Sequence, residues 1–116
     1  MTDLVARLRA DLLTARKIRD TTATAVLRST LAAIANAEAL PVAEGALSAE
    51  GAIAGAAIGL GATEAARRDL SVQDVRGIIT GEQTERLAAA TDLDSRGMGE
   101  RAEQLRAEAA LLAAYL

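Results

Sequence analysis

The sequence predicts an all-α protein of about four main helices, arranged as two helical hairpins that a long loop joins. Apolar residues recur at intervals of three and four in four separate stretches, which is the period of an amphipathic helix. Alanine, the best helix former, supplies about half of the apolar residues, and aromatic residues make up only 1% of the chain. With 116 residues, the chain has room for one small domain with a modest core.

The first predicted helix runs from Asp3 to about Ile18. Asp3 and Arg7, and then Arg7 and Asp11, are pairs of opposite charge four residues apart, a spacing that stabilises a helix. The side chains that we expect to face the core are Leu4, Val5, Leu8, Leu12 and Ala15.

The second predicted helix runs to about Ala39, and Asp20 or Thr21 can cap its start. The break near Arg19 is short, so the two helices form either an antiparallel hairpin, which we favour, or one kinked helix. Pro41 either stops the second helix or comes just after its end. Its wide apolar stripe consists of Ala23, Val26, Leu27, Thr30, Leu31, Ile34 and Ala37.

Residues 40–70 are predicted to be a flexible linker. Five of the nine glycines of the chain lie between Gly45 and Gly61, among alanines and serines, and no regular period continues for long. At most, a helical turn is expected around Ser48–Ala54. A loop of this length is usually either functional or disordered, and we interpret this one as disordered.

The third predicted helix begins at Ser71 and ends at about Thr91. Ser71 and Asp74 have the spacing of a capping box, with Asp in place of the usual Glu. Gly77 and Gly81 lie one turn apart inside the helix, where they either form a flat face for a neighbouring helix or are merely tolerated. The positions with helical period are Val75, Ile78, Ile79, Arg86, Leu87 and Ala90.

A turn is predicted from Asp92 to Gly99, and the fourth helix follows it to the end of the chain. Apolar residues in this helix alternate in steps of four and three, which is the seam of antiparallel helix packing. We expect this seam to consist of Met98, Ala102, Leu105, Ala109, Leu112 and Leu116.

The composition excludes several kinds of catalytic site. The chain has no cysteine and no histidine, so it lacks thiolate chemistry, the commonest general base and the commonest metal ligand. Lys17 is the only lysine. The carboxylate pairs Glu82 with Glu85 and Glu100 with Glu103 are expected to be solvated helix faces. We therefore predict no catalytic residue, no cofactor and no metal site, and we expect a cytoplasmic protein without a membrane anchor.

The charge distribution leaves room for a contact with a polyanion. The net charge is −3, yet the first third of the chain is slightly basic. Our candidates for this contact are Arg19, Arg28, Arg67 and Arg68, although a solvated surface of mixed charge is the simpler interpretation of the same residues. Interleaved aromatic residues, on which single-stranded RNA could stack, are missing.

Several short motifs occur in a recognisable order. A basic-aspartate turn, Lys17-Ile18-Arg19-Asp20, is followed by Leu27-Arg28 in the middle of a helix and by an ending with Ala33, Ile34, Asn36 and Glu38. Ser71, Asp74 and Val75 then begin a helix that also carries Glu82 and Arg86. The last segment, Gly97 to Leu116, includes Ala102, Glu103, Glu108, Leu112 and Tyr115. In this order and spacing the chain resembles the GatB/YqeY family over most of its length outside the linker.

This resemblance implies a helical domain related to the tail region of the aspartyl/glutamyl-tRNA amidotransferase B subunit. Stand-alone members are commonly labelled as having carbon–nitrogen ligase activity with glutamine as amide donor, although the module has no catalytic domain. Many relatives continue into a small second helical domain, which we expect to be absent after Tyr115-Leu116. The resemblance thus implies a non-catalytic module associated with tRNA, or an adaptor in an amidotransferase or aminoacylation complex.

Two other functions remain open from the sequence. One is a homodimeric structural or protein-interaction module, in which the alanine-rich faces and the apolar linker pack between chains. The other is a small helical enzyme similar to chorismate mutase. That activity would require Arg7, Arg16 and Arg28 to converge on one buried pocket for a dicarboxylate.

Overall fold

The computed structural model describes residues 3–39 and 69–116, which form four helices and no strand. The predicted all-α class is therefore confirmed. The helices are α1 (Asp3–Lys17), α2 (Thr21–Ala39), α3 (Val72–Ser95) and α4 (Gly99–Ala113). The largest helix interface is between α3 and α4, the next is between α1 and α2, and α2 also lies against both α3 and α4.

The connection between α1 and α2 is a tight turn and not a kink. Arg19 has a left-handed backbone with φ 61°. The Asp20 amide donates to the Ala15 carbonyl at 2.9 Å and the Arg19 amide donates to the Arg16 carbonyl at 3.2 Å, which together form a Schellman motif. The Asp20 carboxylate then caps α2 by accepting from the Ala23 amide at 3.0 Å. The chain thus reverses within three residues, as an antiparallel hairpin requires.

The start of α3 has the predicted capping box. The Asp74 amide donates to the Ser71 hydroxyl and the Ser71 amide donates to the Asp74 carboxylate, both at 3.0 Å. Leu70 and Val75 belong to one buried cluster and occupy the positions of a hydrophobic staple. Leu70 is therefore part of the core, whereas we had predicted it to be the last residue of the linker. The rest of that linker, with its predicted helical turn, lies outside the described residues.

The end of α3 differs from the prediction. The helix continues through Ser95, so residues that we expected in a turn, beginning at Asp92, form its last helical turn. Arg96 and Asp92 form an ion pair at 3.2 Å along this turn. The helix ends in a second Schellman motif, in which Gly97 has φ 77° and the Met98 amide donates to the Leu93 carbonyl at 2.9 Å. The stop signal is therefore the glycine and not the preceding aspartates.

The main core receives side chains from all four helices. Its fully buried members include Leu8, Ile34, Ile79 and Leu112. A second, smaller cluster lies between α3 and α4 alone and consists of Ala90, Ala102 and Leu105, with Leu93 packed against it. Part of the α4 seam was predicted wrongly: Met98 and Leu116 are about half exposed, and Tyr115 is buried in place of Leu116.

The glycines of α3 have no close neighbour. Within the described residues, a Cβ added at Gly77 or Gly81 would meet nothing within 4 Å. Of the two interpretations, tolerance of glycine on an exposed face fits, and a flat face for a close helix contact does not. None of the four described helices combines the length and the apolar character that crossing a membrane would need.

Candidate functional site

An open groove of about 440 Å³ lies at the end of the first hairpin where α1 turns into α2. Two of the arginines that we predicted for a polyanion contact, Arg19 and Arg28, line this groove together. A third arginine, Arg16, lines it as well. Its other lining residues are Thr21, Thr24 and Ala25.

Helical geometry explains why these residues meet. Thr21, Ala25 and Arg28 are spaced by four and three residues and so lie along one stripe of α2. Arg16 is in the last turn of α1, where a cation also interacts favourably with the helix dipole. The left-handed backbone at Arg19 reverses the chain between the two helices. All three arginine side chains are exposed.

The arginines of the groove are not neutralised by carboxylates of the described chain. All ion pairs between described residues lie on α3, α4 and their connection, and they use Arg86, Arg96, Arg101 and Arg106. Asp20 is the acidic residue next to the groove in sequence, and its carboxylate caps α2. The groove is therefore a concave surface lined by three exposed arginines that have no carboxylate partner in the described chain.

The other two candidates, Arg67 and Arg68, lie outside the described residues. Arg16 was not predicted as part of this site. Its signal was present, because Arg16 and Arg19 flank a predicted helix break and Arg28 follows on the next helix. What the sequence lacked was the conformation of the turn, which determines which faces of the two helices share a groove.

A second polar cluster joins three helices through positions that we identified from the family resemblance. Arg86 donates from Nε to Glu108 at 3.1 Å and from Nη1 to Glu82 at 3.0 Å. The Ser29 hydroxyl of α2 donates to the same Glu82 oxygen at 2.9 Å. The side chains of Arg86, Glu82 and Glu108 are only 14%, 16% and 13% exposed. The expectation of a solvated face was therefore wrong for Glu82, although Glu85, Glu100 and Glu103 are exposed.

This cluster stabilises the packing of the helices. One guanidinium group is shared between two carboxylates, and Arg101 approaches Glu108 at 4.0 Å from the exposed side. Nearby, the Gln83 side chain donates to the Ala109 carbonyl at 3.0 Å. No group of three or more acidic side chains in the described ranges is arranged to hold a metal ion.

Tyr115 anchors the end of α4 to α1. Its hydroxyl donates to Asp11, and the Arg7 guanidinium lies 4.7 Å from the centre of its ring. Burial raises the pKa of the Tyr115 hydroxyl to about 12, and the hydrogen bond to Asp11 acts in the same direction. Arg7 also donates to the Ala114 carbonyl at 2.9 Å.

Arg7 is thus engaged in a different place from Arg16 and Arg28. It lines a separate groove, with Tyr115 and Arg76, whereas Arg16 and Arg28 line the groove at the turn. All three arginines are exposed, so they do not form the buried pocket that an enzyme similar to chorismate mutase would require.

Two of the remaining positions of the family resemblance have a structural role, and two lie near the end of α2. Leu27 is buried in the main core, and Gly97 supplies the left-handed residue of the second turn. Asn36 is exposed and Glu38 is half-buried near the end of α2.

Searches with protein-family models, among curated proteins and among solved structures gave no match for this chain.

Proposed function

We propose that this protein is a non-catalytic GatB/YqeY-like module that associates with tRNA, which it contacts through the arginine groove at the α1–α2 turn. The observation that carries this proposal is the contrast in ion pairing between the two hairpins. Arg16, Arg19 and Arg28 share one groove without a carboxylate partner in the described chain, whereas four arginines of the second hairpin form ion pairs.

The charge of the first hairpin supports a phosphate partner. Residues 3–39 contain six basic and four acidic residues, whereas residues 69–116 contain five basic and nine acidic residues. Arginine is the preferred residue for phosphate because its planar guanidinium group offers two parallel donors. The acidic second hairpin would repel phosphate, so a polyanion is directed to the first hairpin.

The residues of the groove suit binding and not catalysis. Arginine stays protonated at any physiological pH and cannot serve as a general base. The threonine hydroxyls lack a neighbouring histidine, because the chain contains none. An adaptor function in an amidotransferase or aminoacylation complex is consistent with this set of residues, with the chemistry supplied by another subunit.

The test is binding of labelled bulk tRNA to the purified protein across a salt series. We expect saturable binding. The logarithm of the association constant should fall linearly with the logarithm of the salt concentration, because each phosphate contact releases counterions. Arg28→Gln should weaken binding and reduce the slope by about 0.7–0.9, the contribution of one phosphate contact. A shape-matched acidic helical protein is the control for non-specific association.

Arg96→Gln is the matched control variant, because Arg96 is exposed and lies on the second hairpin. It should leave the affinity and the salt slope unchanged. Absence of tRNA binding at low salt would contradict the proposal and favour the protein-interaction alternative. Sedimentation of the free protein then tests whether that alternative is a homodimer, since a monomeric mass at all concentrations would exclude one.

A further inference from the structure

The first hairpin has an exposed apolar residue, and phosphate binding does not explain its exposure. Ile18 lies in the turn between α1 and α2, and its side chain is 68% exposed. It is the most exposed large aliphatic residue in the described part of the chain. Its sequence neighbours are both cationic, Lys17 and Arg19. Arg19 lines the arginine groove, and Ile18 lies beside that groove in the sequence without lining it.

The turn fixes the position of Ile18. The Ile18 amide donates to the Thr14 carbonyl at 3.0 Å, and the next two amides donate back into α1 at 3.2 Å and 2.9 Å. The backbone at this point is therefore hydrogen-bonded, and Ile18 is held at the tip of the hairpin with its side chain in solvent. A β-branched side chain is also stiff, because χ1 is restricted.

A rigid aliphatic side chain between cations is a known way to contact bases. Proteins that bend nucleic acids insert Ile, Leu, Met or Phe between base steps while basic residues hold the flanking phosphates. The arginines alone would contact any polyanion, but Ile18 gains contact area only where a base face is exposed. In a continuous duplex such insertion must first break the stacking of a base step, whereas loops and unpaired ends of RNA present base faces without that cost.

We infer that Ile18 is a wedge against unstacked bases, so that the groove selects RNA with a loop or an unpaired end over a continuous duplex. This inference rests on the proposed function, because it names the class of RNA that the same site takes. Arg16, Arg19 and Arg28 bind the phosphates on either side of the base, and Ile18 covers the base face. Discrimination between RNA structures then depends on Ile18, and the salt dependence depends on the arginines.

The test compares a stem–loop RNA with a fully paired RNA duplex that has the same number of phosphates. Each RNA carries 2-aminopurine, in the loop or at the duplex centre, because this base becomes brighter when it loses stacking. We expect tighter binding of the stem–loop, with a change in its fluorescence. Ile18→Ser should weaken stem–loop binding by about tenfold and remove the fluorescence change, while the salt slope stays the same because no charge is lost.

Leu87→Ser is the matched control, since Leu87 is an aliphatic residue of α3 with 45% exposure. It should not change the affinity for either RNA. Circular dichroism establishes that both variants keep the helical content of the parent protein. Ile18 is exposed and outside the helices, so its substitution is expected to leave the fold intact.

The outcomes separate the inference from the proposed function. If both RNAs bind equally and Ile18→Ser has no effect, the wedge is excluded while binding through the arginines stands. If neither RNA binds, the proposed function fails and the inference fails with it. If Ile18→Ser weakens binding to phosphatidylglycerol vesicles but not to RNA, the residue serves a lipid surface and the inference is overturned.

Discussion

Arg19 has a backbone conformation that costs free energy for every residue with a Cβ atom. Its φ of 61° lies in the left-handed region, where a non-glycine residue is less stable by about 1–2 kcal/mol. Glycine is the usual residue at this position of a Schellman motif. Strained positions of this kind are concentrated at functional sites, and here the side chain of Arg19 lines the groove.

We predict that Arg19→Gly stabilises the protein and weakens RNA binding. Glycine removes the left-handed penalty but makes the unfolded chain more flexible, so we expect a net gain of about 0.5–1 kcal/mol in the free energy of unfolding. Urea denaturation and the tRNA salt series measure the two effects. Arg28→Gln should reduce binding without this gain. Equal or lower stability of the glycine variant would contradict the prediction.

At the scale of elements, the caps at the starts of α2 and α3 were predicted correctly, whereas the end of α3 was not. Ser71 with Asp74, and Asp20, act as caps because a short polar side chain can reach free amides at a helix start. The end of α3 was placed about one turn too early, since the predicted turn began at Asp92 and so included Asp92 and Asp94. In the structure these aspartates pair with Arg96 and Arg106, and the helix continues to Ser95.

The two turns between helices show why the conformation of the first turn could not be predicted from the sequence. Both are Schellman motifs with the same pair of hydrogen bonds, but one has glycine at the left-handed position and the other has Arg19. Glycine is the usual residue at the left-handed position, so Gly97 signals its turn, whereas Arg19 gives no such signal. The short break near Arg19 was predicted beside the possible caps Asp20 and Thr21, but its conformation required the structure.

We predict that Arg86 contributes more to stability than any exposed arginine of the second hairpin. Arg86→Gln leaves the half-buried carboxylates of Glu82 and Glu108 without their cation, which should lower the free energy of unfolding by about 2 kcal/mol. Urea denaturation measures this change. The control is Arg96→Gln, because the Arg96–Asp92 pair is more than half exposed and its loss should cost less than about 0.5 kcal/mol. If both variants lose a similar amount of unfolding free energy, the cluster of Arg86, Glu82 and Glu108 contributes no more to helix packing than an exposed ion pair.

At the scale of the whole molecule, charge is separated between the two hairpins. In the acidic second hairpin four of the five arginines form ion pairs, whereas Arg16, Arg19 and Arg28 of the first hairpin are exposed and have no carboxylate partner in the described chain. The basic character of the first third could be read from the sequence, and so could Arg19 and Arg28 as candidates. Three other features could not be read from the sequence: the shared groove, the place of Arg16 in it and the exposure of Ile18. They depend on how one turn orients two helices.

The distribution of buried residues predicts that stability also differs along the second hairpin. The main core joins all four helices, whereas the cluster of Ala90, Ala102 and Leu105 holds only α3 against α4. Loss of a contact in the main core should weaken every helix together. Loss of a contact in the small cluster should open only the end of the hairpin that carries the α3–α4 turn, because regions with few buried contacts unfold locally.

Ile79→Ala and Leu105→Ala provide the comparison, since Ile79 is fully buried in the main core and Leu105 is 8% exposed in the small cluster. We expect Ile79→Ala to lower the free energy of unfolding by about 2–4 kcal/mol and to reduce amide protection in all four helices. Leu105→Ala should reduce protection mainly between Ala90 and Leu105 and leave the amides of α1 unchanged. Native-state hydrogen exchange measures both. Equal loss of protection in α1 for the two variants would mean that the small cluster is coupled to the main core, and that the second hairpin opens only when the whole protein unfolds.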